Sequence, residues 1–119
     1  MTKLYHVNLG LPYNLNLPEY VPVRITDHAL KAMTDDRYGD ITLPMVGAKL
    51  NLKGMGLVEL ETLDNGKPIK IVVRGTYAPN PKFDLVLVLT SDCVLKTAWL
   101  NDADDRHSTL NRARYTIPT

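Results

Sequence analysis

GLVELETLDNGKPIKIVVRGT, residues 56–76, decides the fold. In its first half Val58, Leu60 and Thr62 alternate with Leu57, Glu59 and Glu61, the two-residue period of a half-buried strand. Asp64-Asn65-Gly66-Lys67 then breaks the pattern, and Asn-Gly accepts the positive φ angles of a tight hairpin turn. In the second half Ile69, Ile71 and Val73 share one face, with Lys70, Val72, Arg74 and Thr76 on the other. Downstream of Ala78-Pro79-Asn80-Pro81-Lys82, residues 84–90 contain the apolar run LVLVL, which suits a central strand covered on both faces. A turn at Ser91-Asp92 returns the chain through a fourth strand, residues 94–101. Four successive strands with short connections form an antiparallel meander.

Working upstream, residues 41–55 hold one irregular strand, around Ala48 to Leu52. A helix precedes it. Thr26 or Asp27 is placed to cap its start, and Asp27 puts negative charge at the positive end. The run HALKAMTDDRY continues to Gly39, a left-handed stop. At ~100° per residue Ala29, Leu30, Met33 and Arg37 share one side, and His28, Lys31, Ala32 and Asp35 the other. Residues 1–23 contain Pro12, Pro18 and Pro22, which remove backbone donors, so this segment reads as irregular or extended. Its Leu4, Tyr5, Leu9, Tyr13, Leu17 and Tyr20 are expected to pack on the sheet. The polar tail, residues 102–119, reads as loop or one helical turn with Tyr115 and Ile117 docking back. The expected architecture is α+β: a short N-terminal helix on a four- to five-stranded antiparallel meander, in one domain spanning residues 1–119.

Composition narrows the function classes. The chain has 119 residues, 45% hydrophobic and 23% charged, which fits one globular domain with a real core. Its net charge of +1 lacks the large positive excess of many dedicated nucleic-acid binders. Cys93 is the lone cysteine, so an internal disulfide or a cysteine zinc cluster is excluded. No basic-then-apolar leader and no apolar run of ~20 residues occurs, so the expectation is a cytoplasmic protein, of a host cell if phage-encoded or delivered, without a membrane partner.

There is no HExxH, and His6, His28 and His107 are widely spaced. Asp102, Asp104 and Asp105 beside His107 read as a solvated turn rather than a cation site. Walker, GxGxxG and GxSxG motifs are missing. The expectation is therefore no metal and no cofactor. What remains is a polar set suited to acid–base chemistry on an RNA phosphodiester, which carries its own 2′-hydroxyl nucleophile. His28 belongs to a residue type that exchanges protons near neutrality, and it sits beside free first-turn N–H groups that favour anions; the same position also describes an ordinary exposed histidine. Arg37 reads either as a phosphate clamp or as an ion-pair partner of Asp35, Asp36 or Asp40. In VLKTAWLND, residues 94–102, Leu95, Thr97 and Trp99 alternate with Lys96, Ala98 and Leu100. Thr97 beside Trp99 offers a hydroxyl next to a stacking surface, although the strand pattern alone favours Trp99 as core. His107, between Arg106 and Ser108, reads as a phosphate contact or as part of a capping loop.

The segments TDHALKAM and DRYG, followed by VLKTAWLNDADDRH, resemble small nuclease toxins of the barnase–EndoU–colicin–RelE superfamily. The resemblance is greatest to the tRNA-cutting toxin domains of contact-dependent inhibition systems and their phage or prophage relatives. It spans roughly residues 24–115 and is carried by those two regions. It implies a metal-independent endoribonuclease acting on tRNA or other structured RNA, with a protein inhibitor or antitoxin as a further partner. It also implies His28, Arg37, Thr97 and Trp99 as catalytic residues; on the nuclease reading Lys31, Arg74, Lys96 and His107 are further candidate substrate contacts. Trp99 stands where such sites often have tyrosine, and an indole does not exchange protons as a phenol does. The rival reading is a non-catalytic phage or prophage protein that binds and modulates a host protein; a third is an antitoxin or immunity partner. A nuclease should gather His28, Arg37 and Thr97 in one cleft, whereas a binding module should scatter them and expose an apolar patch.

Overall fold

The computed structural model describes residues 1–105 and 111–118. Its strands are β1 (Thr2–His6), β2 (Tyr20–Pro22), β3 (Arg24–Ile25), β4 (Met45–Val46), β5 (Lys49–Asn51), β6 (Gly56–Leu63), β7 (Pro68–Thr76), β8 (Phe83–Thr90) and β9 (Val94–Asp102). The helix α1 (Asp27–Thr34) lies between β3 and β4, and single 3₁₀ turns occupy Val7–Leu9 and Arg112–Arg114. The large sheet has the order β1-β6-β7-β8-β9-β3, and a small antiparallel sheet has the order β2-β5-β4.

The meander β6 to β9 is the frame, but the expected architecture around it is wrong. The molecule is mostly β, with its α-helix in mid-chain after three strands, and the six-stranded sheet is mixed because β3 runs parallel to β9. The N-terminal segment expected to be irregular supplies an edge strand: β1 pairs antiparallel with β6, from Thr2 opposite Leu63 to His6 opposite Glu59. The prolines that argued against a strand all follow β1, and a partner more than fifty residues away leaves no local periodicity to read.

Packing sets the two faces of the large sheet apart. One is covered: Val73 of β7, Leu85, Leu87 and Leu89 of β8, and Leu95, Ala98 and Leu100 of β9 join one buried cluster with Ala29 and Met33 of α1 and Val21, Leu50 and Leu52 of the small-sheet region. Gly75 marks a close approach beneath this layer, since a Cβ there would stand 2.9 Å from Met55 Cγ and 3.2 Å from its Cα. The Tyr77 hydroxyl accepts a hydrogen bond from Thr42 N at 2.9 Å, fastening the segment before β4.

Helix α1 begins where its residues dictate and stops earlier than expected. Thr26 Oγ1 accepts from Ala29 N at 3.0 Å, the cap anticipated from sequence. Beyond Thr34 the Asp36 carboxylate takes over the local donors, accepting from Tyr38 N at 3.0 Å and from Leu100 N of β9 at 3.4 Å. Short acidic side chains compete with the helical backbone in this way. Arg37 therefore lies in a turn, and its assignment to the apolar stripe of the helix does not hold. Leu30 is also half exposed, leaving Ala29 and Met33 as the buried contacts.

A second correction concerns β9. Leu95 pairs with Leu89 but Thr97 pairs with Val88, so Lys96 is an extra residue in a bulge. The bulge turns Leu95 inward with Ala98 and Leu100, while Thr97 and Trp99 face the other way. The strict alternation that grouped Leu95 with Thr97 and Trp99 is broken at Lys96. In the tail, Tyr115 docks but Ile117 is exposed.

Two substitutions test this packing by urea denaturation. Leu87 is fully buried in the central strand, so Leu87→Ala is expected to cost about 3 kcal/mol. Thr62 Oγ1 is buried and finds no partner among the described residues, so Thr62→Val is expected to gain about 1 kcal/mol by removing an unsatisfied hydroxyl at nearly constant shape.

Candidate functional site

The opposite face of the large sheet carries a cleft of about 600 Å³. Pairing explains its composition. Arg74 faces Val86, Val86 faces Trp99, and Glu59 faces both His6 and Val72, so these side chains share one face. Val58, the extra residue where β6 shifts register between Leu57 and Glu59, joins them in lining the cleft. The floor is Val72, Val86 and Trp99; the polar rim is Glu59, His6, Arg74 and Asn101, with Asn8 from the first 3₁₀ turn and Asn111, Arg114 and Tyr115 from the C-terminal segment.

His6 is buried, and its Nδ1 accepts a hydrogen bond from Asn8 N at 3.1 Å. That bond caps the 3₁₀ turn at Val7–Leu9 and leaves the ring proton of the neutral imidazole on Nε2. The Tyr115 ring meets His6 edge-on, 5.2 Å between centroids and 74° between planes. Its other neighbour is Arg114, whose guanidinium lies 5.5 Å from the phenol centroid. Burial, first of all, and then the negative charge of Glu59 hold the Tyr115 phenol above its ordinary pKa of 10.0, against the opposing pull of Arg114. The C-terminal segment is stitched in place by Thr116 N donating to Leu4 O at 2.7 Å, and Pro118 stands where a side chain at Gly10 would collide, 3.2 Å from an added Cβ.

Arg74 lines the cleft but is committed to structure. Its Nε pairs with Asp84 Oδ2 at 2.7 Å, and its terminal nitrogen donates to Asp102 O at 3.1 Å and Asp105 O at 3.0 Å. It ties the turn after β9 back to the sheet.

The structure divides the residues singled out from sequence. Trp99 lines the cleft, and Thr97, half buried, is one pair further along the same face of β9. Lys96 projects from the bulge and is exposed. His28 and Lys31 are exposed on α1, the helix that packs against the covered face through Ala29 and Met33. The Arg37 guanidinium rests 4.7 Å from the Tyr38 ring centroid, and Tyr38 in turn stacks on Phe83 at 4.4 Å. His28, Arg37 and Thr97 are thus not among the residues that line the cleft. His107 lies outside the described residues.

Sequence reading missed His6, Glu59, Arg114 and, as a site residue, Tyr115. For Glu59 the signal was slight: with Glu61 it forms the polar positions of an alternating strand. For His6 there was none, because its strand was not recognised. Among the described residues, no group of three or more His, Cys, Asp or Glu side chains is placed to hold a metal ion, and no helix is long and apolar enough to cross a membrane.

No family model matches the chain, and no similar curated protein or solved structure was found.

Two measurements check this geometry. Arg74→Met strands the half-buried Asp84 carboxylate and releases two loop carbonyls; unfolding free energy is expected to fall by about 2 kcal/mol. Because the raised Tyr115 pKa means that the folded state holds the phenolic proton more tightly, this contribution to stability is complete below pH 10.0 and lost as pH rises through the raised value. Urea midpoints are therefore expected to drop on the alkaline side of pH 10.0 more steeply in the wild type than in Tyr115→Phe.

Proposed function

We propose that the open-face cleft is the active site of a metal-independent endoribonuclease acting in the cytoplasm on tRNA or other structured RNA, held in check in its producer by a protein inhibitor or antitoxin. The observation that carries this reading is the pairing of His6 with Glu59, directly opposite in register, in a cleft floored by Trp99 and rimmed by Arg114. A tryptophan on a concave polar face offers a stacking platform for an unstacked base, the usual mode of RNA recognition outside duplexes.

The chemistry assigned to these groups is transesterification. Glu59 takes the proton of the 2′-hydroxyl as O2′ bonds to phosphorus, the bond from phosphorus to O5′ breaks, and the proton reaches the departing O5′ through water. The products are a 2′,3′-cyclic phosphate and a free 5′-hydroxyl. His6, with its proton on Nε2, donates a hydrogen bond to a phosphate oxygen rather than a proton. Arg114 adds positive charge where negative charge develops. Trp99 stacks the base, and Thr97 offers a hydroxyl at the edge of the cleft. His28 and Arg37, the catalytic pair implied by resemblance, are left without a chemical step because neither lines this cleft.

A second reading has its own observation. The small sheet exposes Tyr20 on β2 and Met45 and Val46 on β4, apolar side chains of the kind that a protein partner covers. In that case the protein binds and modulates a host protein without catalysis.

Purified protein incubated with total tRNA in excess EDTA separates them. Discrete cleavage ending in 2′,3′-cyclic phosphate is expected, reduced at least about 100-fold in Glu59→Gln and about tenfold in His6→Ala, and unchanged within about twofold in His28→Ala and Arg37→Ala. No cleavage of tRNA or ribosomal RNA by folded protein would refute the nuclease reading and leave the protein-binding one.

A further inference from the structure

Resting on that reading of the cleft, we propose that Tyr115 is a positioning residue: docked by the C-terminal segment, it fixes the His6 imidazole and the Glu59 carboxylate in their working orientation, so the site is complete only when that segment is bound along β1.

Three observations converge on this role. Tyr115 meets His6 edge-on at 5.2 Å between centroids and lines the cleft together with Glu59. His6 and Glu59 sit directly opposite each other on neighbouring strands, and backbone register alone does not set the angle of the ring to the carboxylate. The imidazole is held at Nδ1 by Asn8 N and on its flank by the phenol, which together restrict rotation about both side-chain torsions of His6.

The docking of the segment is also separable from the core. It is anchored by the bond from Thr116 N to Leu4 O and the fit of Pro118 against Gly10, while Asn111 Oδ1 caps the segment's own 3₁₀ turn by accepting from Ala113 N at 3.2 Å. None of residues 111–118 belongs to the buried cluster that holds α1 and the small sheet to the large sheet. Loss of the Tyr115 contacts therefore disorganises the site while the fold persists.

Tyr115→Phe removes the hydroxyl but keeps the ring edge against His6, and Tyr115→Ala removes both. Each is examined by NMR of the Glu59 carboxyl and His6 ring signals, and by cleavage kinetics over a range of pH. In Tyr115→Phe the Glu59 carboxyl signal is expected to move while His6 stays near its wild-type position. The kcat of this variant should fall about tenfold at nearly constant KM. In Tyr115→Ala both signals are expected to move and kcat to fall further, with the core methyl signals of Leu87 and Leu95 unchanged. Identical Glu59 and His6 signals in wild type and both variants would overturn the inference even if RNA is cut. Shifted signals in the variants, together with a wild-type protein that cuts no RNA, would uphold the positioning role and remove the nuclease reading beneath it.

Discussion

One extra residue in β9 governs what each face of the large sheet can do. With Lys96 bulged out, Leu95 joins Ala98 and Leu100 under α1, and Thr97, Trp99 and Asn101 all turn to the open side. Without the bulge, a strict two-residue period would send either Leu95 into solvent or Trp99 into the core. The shift at Val58 acts in the same way on β6, sending Leu57 toward the core and Glu59 to the open face. Two insertions of one residue thus separate a sheet that is apolar on one side from a surface rich in polar groups on the other. Bulges next to functional surfaces commonly re-aim side chains in this manner.

Local signals made the centre of the fold legible. The hairpin between β6 and β7, the alternation in β7, the apolar run of β8 and the Thr26 cap are all properties of short windows and appear in place, although in the Asn65-Gly66 turn Gly66 alone takes the positive φ expected of both residues. What was not legible depends on partners distant in sequence. The strand β1 exists because β6 offers it an edge, and β3 because the edge of β9 accepts two residues in parallel. The small sheet is made of strands of two or three residues, too short to show a period. The end of α1 was misplaced because Asp36 prefers bonds to Tyr38 N and Leu100 N, and the second of those donors is invisible in a helical wheel.

The same division runs through the site. Trp99 and Arg74 both line the cleft, Trp99 as part of its floor and Arg74 bonded to Asp84 and two carbonyls. His6, Glu59 and Tyr115 come from the first strand, the middle of the chain and the C-terminal segment. No spacing rule joins three residues so far apart; only the register of β1 on β6 and the return of the chain to Leu4 bring them together. His28 and Arg37 looked like a pair because one continuous helix was expected to carry both, and that helix ends between them.

The position of β1 at the outer edge of the sheet has a kinetic consequence. Strands β6 to β9 are joined by short connections and can zip together in sequence, whereas β1 must close a loop of more than fifty residues to reach β6, a slow kind of step. The C-terminal segment then needs β1 in place before Thr116 has a carbonyl to bind. The cleft is consequently complete only once β1 has docked on β6, and fraying at this edge removes His6 from its rim.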